Sequence, residues 1–315
     1  MKRFLICILL FSGFVLAAIA VFEWSLRNIP NEFRFKDEVM QQRAESLTTL
    51  VIGSSVAHEG IDPAIFPDSA TAFNLALSGE MTTYNCMSFF HYAPRLTRLR
   101  HLIWGFSYQQ LYFDDRMPEN MMNRYGHRIY MGIDEQPGIT EHLECLALKS
   151  LAFRKFTKYY FKGETDEPFA PSGLDSRPYE EGLRLNWKEK TKKQADDYTK
   201  EMRLRTKDRD MNIQLIHEVL DHCRKKNIQV SIVVPPVYPT YNDACDTALK
   251  AYNVNFFKSL EKEYANLKVF YYFGDKRYEE KDYYDYGHLS SDHGAQKFTR
   301  RLLADIAKGE SIYIE

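Results

Sequence analysis

The chain is expected to fold as a doubly wound α/β domain of three layers, with helices on both faces of a mostly parallel five-stranded sheet and a transmembrane helix ahead of it. Two observations predict this. Five short runs are apolar throughout rather than alternating, as in strands covered on both faces. Helical patterns fall between several of these runs, and strand alternating with helix defines the class. At 315 residues the chain can bury a sizeable core.

The N-terminal segment MKRFLICILLFSGFVLAAIAVFEW places Lys2 and Arg3 before an apolar run over 4–22. At 1.5 Å per residue that run is about 28 Å long, one hydrocarbon thickness. It exceeds the apolar core of a signal peptide, and AAIA, which reads as a cleavage site, lies inside it. An uncleaved signal anchor over 1–23 is therefore expected, with the basic end cytoplasmic and the remainder outside the cytoplasm. Residues 24–46 are polar and read as a stalk. The α/β domain follows over 47–315, with an insertion at about 108–210.

The strands are read at 48–54 (TTLVIGS), 71–76 (TAFNLA), 101–106 (HLIWGF), 229–236 (QVSIVVPP) and 268–273 (KVFYYF). Helices precede the fourth and fifth strands, over 211–227 and 246–264. A last helix closes the chain after Ser290 or Ser291, either of which suits an N-cap. Within the insertion, 162–182 is loop-like by its Gly and Pro content, and 186–210 is charged and helical.

Charge and cysteines exclude some classes. A net charge of −1 provides no electrostatic basis for binding nucleic acid. Of the five cysteines, Cys7 lies in the anchor, while Cys86, Cys145, Cys223 and Cys245 are spaced too widely to imply a disulfide framework. With no CxxC pair and no zinc spacing, they read as buried thiols, and no metal or cofactor is assigned. The abundant Tyr and Phe suit a thick core better than a carbohydrate-facing cleft.

Three strand-end stretches carry candidate chemistry. In LVIGSSVAHEGIDP, Ser54 and Ser55 follow the first strand, at the sheet edge where open α/β folds bind ligands. Gly79 follows the second strand, where a backbone N–H can approach a developing oxyanion. In DYYDYGHLSS, Asp285 and His288 share one loop before the last helix. A serine nucleophile needs an imidazole base, and the imidazole needs a carboxylate to hold its tautomer.

In this order the stretches resemble the SGNH (GDSL-type) hydrolase superfamily, which implies an SGNH/flavodoxin-like sheet. Ser55 matches the nucleophile of its first block, with Ser54 where Asp often stands. Gly79 matches the second block, and DYGHLSSDHGAQKF matches the last. The resemblance implies a Ser55–His288–Asp285 triad and an oxyanion hole from Ser55, Gly79 and the third block. That third block departs from the pattern. WGFSYQQ puts Ser107 where the family has asparagine, leaving Ser107, Asn74 or Asn85 to act.

GSSVAHEGIDPAIFP and VVPPVYPTY further resemble membrane-anchored members that modify cell-surface polymers. Examples are the alginate and peptidoglycan O-acetyltransferases and the D-alanyl transfer protein of teichoic acid synthesis. The implied function is an extracytoplasmic esterase or O-acyltransferase, acting on acyl (above all acetyl) esters of surface glycans, beside a multispanning membrane acyltransferase. Two other uses of the residues stand. One is an inactive domain that binds glycan or scaffolds a partner, in keeping with the altered third block. The other is a metal site from Asp285, His288, Asp292 and His293. Tyr108, Gln109 and Tyr112 are expected to line the rim, and His58 is a secondary candidate base.

Overall fold

A computed structural model describes residues 1–116, 121–133, 142–165 and 169–315. Part of the loop expected at 162–182, residues 166–168, lies outside the described residues. The chain divides into two compact units, Met1–Glu38 with Pro118–Pro168, and Val39–Met117 with Phe169–Glu315. The insertion is thus divided between them.

The second unit holds the sheet. Its strands are β1 (Thr49–Gly53), β2 (Ala72–Asn74), β3 (His101–Gly105), β4 (Gln229–Val234), β5 (Leu267–Tyr271) and β6 (Ile312–Tyr313). They lie in the order β2-β1-β3-β4-β5-β6, every pair parallel. The α/β class holds, with six strands instead of five. β6 pairs only Ile312 and Tyr313 with Phe270 and Tyr271, too short a run to stand out from the tail sequence.

In chain order the helices are α1 (Lys2–Arg27), α2 (Glu32–Arg43), α3 (Ser55–His58), α4 (Thr82–Tyr92), α5 (Met121–Gly126), α6 (Glu144–Ala147) and α7 (Ser150–Lys162). They continue with α8 (Tyr179–Leu183), α9 (Trp187–Leu204), α10 (Thr206–Lys225), α11 (Pro239–Ala244), α12 (Thr247–Glu263) and α13 (Gly294–Lys308). Strand residues alternate between two buried faces. Val51, Ile103, Val233 and Phe270 pack against Phe298 and Leu302 of α13. The opposite face carries α4, α10 and α12, with Phe106 edge-on to Phe257. Burial on both sides explains why these strands read as unbroken apolar runs.

Because β1 connects outward to β2 and the chain then crosses back to β3, the direction of winding reverses between β1 and β3. The crevice at their carboxyl ends is where such sheets bind ligands. Ser55 follows one of these strands and Ser107 the other.

Three local expectations change. The segment 24–46, read as a stalk, is helical over Glu32–Arg43 and buries Met40 and Ala44. The charged stretch 186–210 is two helices, and α9 buries Trp187, Thr191, Ala195 and Met202 along one face. Neither Ser290 nor Ser291 is the N-cap of α13. His293 holds that position, and the Ser290 hydroxyl accepts the Gly294 N–H from the preceding turn at 3.1 Å.

In the first unit, α1 is long and apolar enough to cross a membrane. Its C-terminal end is built into the unit. The Glu23 carboxylate accepts N–H groups of Glu144 and Cys145 at the start of α6 (3.1 and 3.0 Å), and Leu26 and Ile29 pack with Leu148 and Ala152. All five cysteines are free thiols.

Candidate active site

The turn after β1 is built by two glycines. Gly53 has φ of +145°, and a Cβ there would stand 2.5 Å from the Gly105 carbonyl oxygen. A Cβ on Gly105 would stand 2.4 Å from that of Ala57. Only with both side chains absent can α3 start directly against β3 and bring Ser55 to the sheet edge. Ser54 caps the short helix through its carbonyl, which accepts the Ala57 and His58 N–H groups, both at 3.0 Å.

Two asparagines hold this turn. Asn74, at the end of β2, donates to the carbonyls of Ala57 and Ile61, both at 2.8 Å, and accepts the Ala76 N–H. Asn85 donates to the Gly53 carbonyl and to Glu80, while its oxygen accepts from Trp104 and Gln110. Both amide groups are fully used and fully buried. Neither is therefore available for an oxyanion, and the two alternatives to Ser107 drop out on hydrogen-bond inventory alone.

The second half of the site is the loop before α13. Oδ1 of Asp285 accepts three N–H groups: backbone Gly287 at 2.8 Å, backbone His288 at 3.0 Å and His288 Nδ1 at 2.8 Å. Tyr284 N–H donates to the His288 carbonyl, and Tyr238 N–H donates to that of Tyr286. The loop is thereby closed on itself and tied to the segment after β4. With His288 Nδ1–H committed to Asp285, Nε2 is left as the acceptor for Ser55 O–H, at 2.7 Å. Residues 233 positions apart in sequence come within proton-sharing distance.

Burial opposes charge on His288, but Asp285 and then Glu59 outweigh it, pushing the imidazole up to about 9. Asp285 sits below the usual carboxylate range. Burial would raise it, and the attraction and hydrogen bond of His288, with the loop N–H groups, override that. Glu59 is buried with one carboxylate oxygen unbonded, and burial lifts it above its ordinary value against the pull of His288, His58 and Arg177.

Sequence reasoning missed the segment that ties the two halves together. Over 172–179 the insertion runs as a strap. Its Ser172 carbonyl accepts the Asn74 N–H, and Asp175 N–H donates to the His58 carbonyl. Farther along, Arg177 and Ser291 exchange hydrogen bonds at 2.9 Å, and Tyr179 N–H donates to Asp292 at 3.1 Å. Asp292 is thus occupied by the strap, exposed His293 lies 3.7 Å from it, and among the described residues no metal-ligating group forms with Asp285 and His288.

A different acidic cluster does form. Ligand atoms of His58, Glu59 and Asp175 lie within 4.8 Å of one another. The Arg177 guanidinium is already among them, 2.7 Å from Asp175 and 3.9 Å from Glu59. Its positive charge pairs closely with Asp175 and more distantly with Glu59, so among the described residues the cluster is organised as an ion-pair network. His58 belongs to it and not to the serine.

A small, partly open cleft next to His288 is lined by Ser107, Tyr108, Gln109, Tyr198, Tyr241 and Tyr286, among others. The buried Ser107 hydroxyl has no hydrogen-bond partner among the described residues. Tyr112, expected on the rim, is buried instead, with its hydroxyl donating to Asn253 at 3.1 Å. Gly79 occupies the turn after β2 with φ of +75° and is not among the residues lining the cleft. Tyr198 comes from α9, whose aromatic positions in a highly charged stretch offered only a weak signal.

No protein-family model and no curated protein matches the chain. Among solved structures, a protein provisionally described as a platelet activating factor from Streptococcus pneumonia aligns with 93% of this chain and 99% of its own. The TM-score is 0.44 and the identity 10%. At that score the similarity carries no weight, and the functional reading rests on the chain's own geometry.

Proposed function

We propose that this protein is a membrane-anchored serine esterase or O-acyltransferase of the SGNH type, acting outside the cytoplasm on acetyl esters of cell-surface glycans. The observation that carries the reading is the continuous relay from Ser55 through His288 to Asp285, at 2.7 and 2.8 Å, at the strand ends where winding reverses.

In the first half-reaction Ser55 Oγ attacks the ester carbonyl carbon, and its proton passes to His288 Nε2. Asp285 keeps Nδ1–H in place and stabilises the imidazolium. The tetrahedral oxyanion is met by the backbone N–H of Ser55 and by the hydroxyl of Ser107; the Gly79 N–H that the family pattern would add stands outside the cleft lining. Collapse breaks the bond to the leaving alkoxide, which takes the proton from Nε2 and departs as an alcohol. The second half-reaction is the reverse, with water or a glycan hydroxyl giving its proton to His288 as it attacks the acyl-Ser55. No metal takes part in these steps.

The integration of Glu23 into the first unit supports retention of the anchor, because cleavage within 17–20 would cut the helix just ahead of its packed end. A multispanning acyltransferase partner remains the implied acyl donor for the transfer reaction.

Turnover of an acetyl ester probe, together with labelling by a fluorophosphonate, tests the reading. Both should occur in the native protein and vanish in Ser55→Ala. Folded native protein that neither turns over the probe nor takes the label would favour a non-catalytic glycan-binding or scaffolding domain.

A further inference from the structure

The helix α7 packs beside the outgoing end of α1. Phe22 meets Phe156 edge-on at 5.1 Å, and the Tyr160 hydroxyl donates to the Ser25 carbonyl at 3.1 Å. Those contacts fix α7 at the level of residues 22–25, where the apolar run of the anchor ends. At 3.6 residues per turn the helix has three faces. Ala152, Phe156 and Tyr159 turn inward onto Leu26, Ile29 and Leu148. Phe153, Tyr160 and Phe161 form an outer aromatic face, 64, 45 and 76% exposed. Arg154, Lys155, Lys158 and Lys162 form the third, and α7 contains no acidic residue.

Exposed aromatics of this size are costly in water. Here they continue an apolar surface. Trp24, one residue from the Tyr160 contact, is 67% exposed on α1. A groove of about 440 Å³, lined by Phe14, Ala17, Val21, Phe22, Ser25 and Phe156, runs along the anchor to α7. Trp and Tyr at the end of an apolar span, beside an amphipathic helix rich in aromatic and basic residues, is the arrangement of a membrane–water interface.

We infer that α7 is an interfacial helix. Its Phe153–Tyr160–Phe161 face enters the bilayer beside the anchor, and its basic face meets anionic lipid headgroups. Of the four cations, Lys155 is held by Glu144 at 2.8 Å and Lys158 by Glu164 at 3.0 Å. Glu164 is exposed and Lys162 lies 4.0 Å from it, so headgroup phosphates can compete for Lys158 and Lys162 alongside Arg154. The inference rests on the anchor reading, and extends it from one membrane element to two.

The test uses the full chain reconstituted in vesicles of phosphatidylcholine with phosphatidylglycerol, in a Cys7→Ala, Cys145→Ala background. Single cysteines replace Phe14, Phe153, Phe161 or Leu204, each carrying a nitroxide, and collisions with oxygen and with a nickel chelate are measured. Position 204, 81% exposed on α9, serves as the aqueous reference. The oxygen-to-nickel ratio should be several-fold higher at 153 and 161 than at 204, and highest at 14. It should fall at 161 when Arg154, Lys158 and Lys162 are all changed to Glu. Labels at 153 and 161 as aqueous as 204, with 14 still buried in lipid, would overturn the inference while leaving the anchor intact, and would point to a protein partner on this face. An aqueous signal at 14 would remove the anchor and the inference together.

Discussion

Two histidine–carboxylate clusters lie on either side of α3, and they differ in what completes them. At one, His288 is held by Asp285 and faces the hydroxyl of Ser55, next to a cleft. At the other, buried His58 lies with Glu59 and Asp175 around the guanidinium of Arg177. Residue types are nearly the same. A nucleophile with a proton path is what supports the proposed reaction at the first. An arginine with two carboxylates defines the second as a brace between the strap and the nucleophile turn. Chemistry is set by what the polar groups are paired with, and not by their presence.

The comparison breaks first at the relay. Ser55→Ala and His288→Ala should each lower kcat by roughly 10⁶-fold, and Asp285→Asn by about 10⁴-fold, measured on an acetyl ester with folding checked by circular dichroism. A loss as large from His58→Ala would mean that the wrong cluster has been taken as the reaction centre. Next in size is Ser107→Ala, which should cost about 10² to 10³ in kcat with KM little changed, the signature of an oxyanion donor. A change in KM alone would reduce Ser107 to a lining residue.

The clusters also communicate, since Glu59 adds to the field that raises the His288 pKa. A base must be neutral to accept the serine proton. With the imidazole pushed up to about 9, kcat/KM should rise with pH from 6 and level off only near that value. Glu59→Gln removes a negative neighbour, so the His288 pKa falls and the rising limb moves toward acid. At pH 7 kcat/KM should increase by less than about tenfold. An unmoved profile would separate the clusters electrostatically. The smallest effect concerns cations: EDTA should leave turnover within about twofold, because Arg177 already occupies the space beside Asp175 and Glu59, and Ser55, His288 and Asp285 complete the relay without a metal. A strong loss restored by zinc would make the second cluster a metal centre.

The Asp285–His288 half of the first cluster is legible in the sequence because it is local, while its pairing with Ser55, 233 positions away, comes only from the resemblance of the separate blocks. Asp285 and His288 are three residues apart in a loop where one carboxylate oxygen takes three N–H groups, and Ser55 follows a strand whose terminal glycine has no alternative. The second cluster is not local. Arg177 reaches Glu59 only because the strap pairs with Asn74, His58 and Ser291, contacts that no spacing reveals. The same holds for Tyr198, which a charged helix brings to the cleft, and for β6, whose two residues become a strand only beside β5. The asparagines offered as oxyanion donors illustrate the converse. They lie near the right strand ends in sequence, and only the hydrogen-bond inventory shows their amides to be spent on the fold.

The most direct test is to trap the covalent intermediate. Native protein mixed with an activated acetyl ester, acid-quenched during the pre-steady-state burst and digested for mass spectrometry, should carry one acetyl group on the peptide containing Ser55, with fragmentation assigning it to that hydroxyl. An acetyl group on Ser54 or His58 instead, or turnover that persists in Ser55→Ala, would contradict the account.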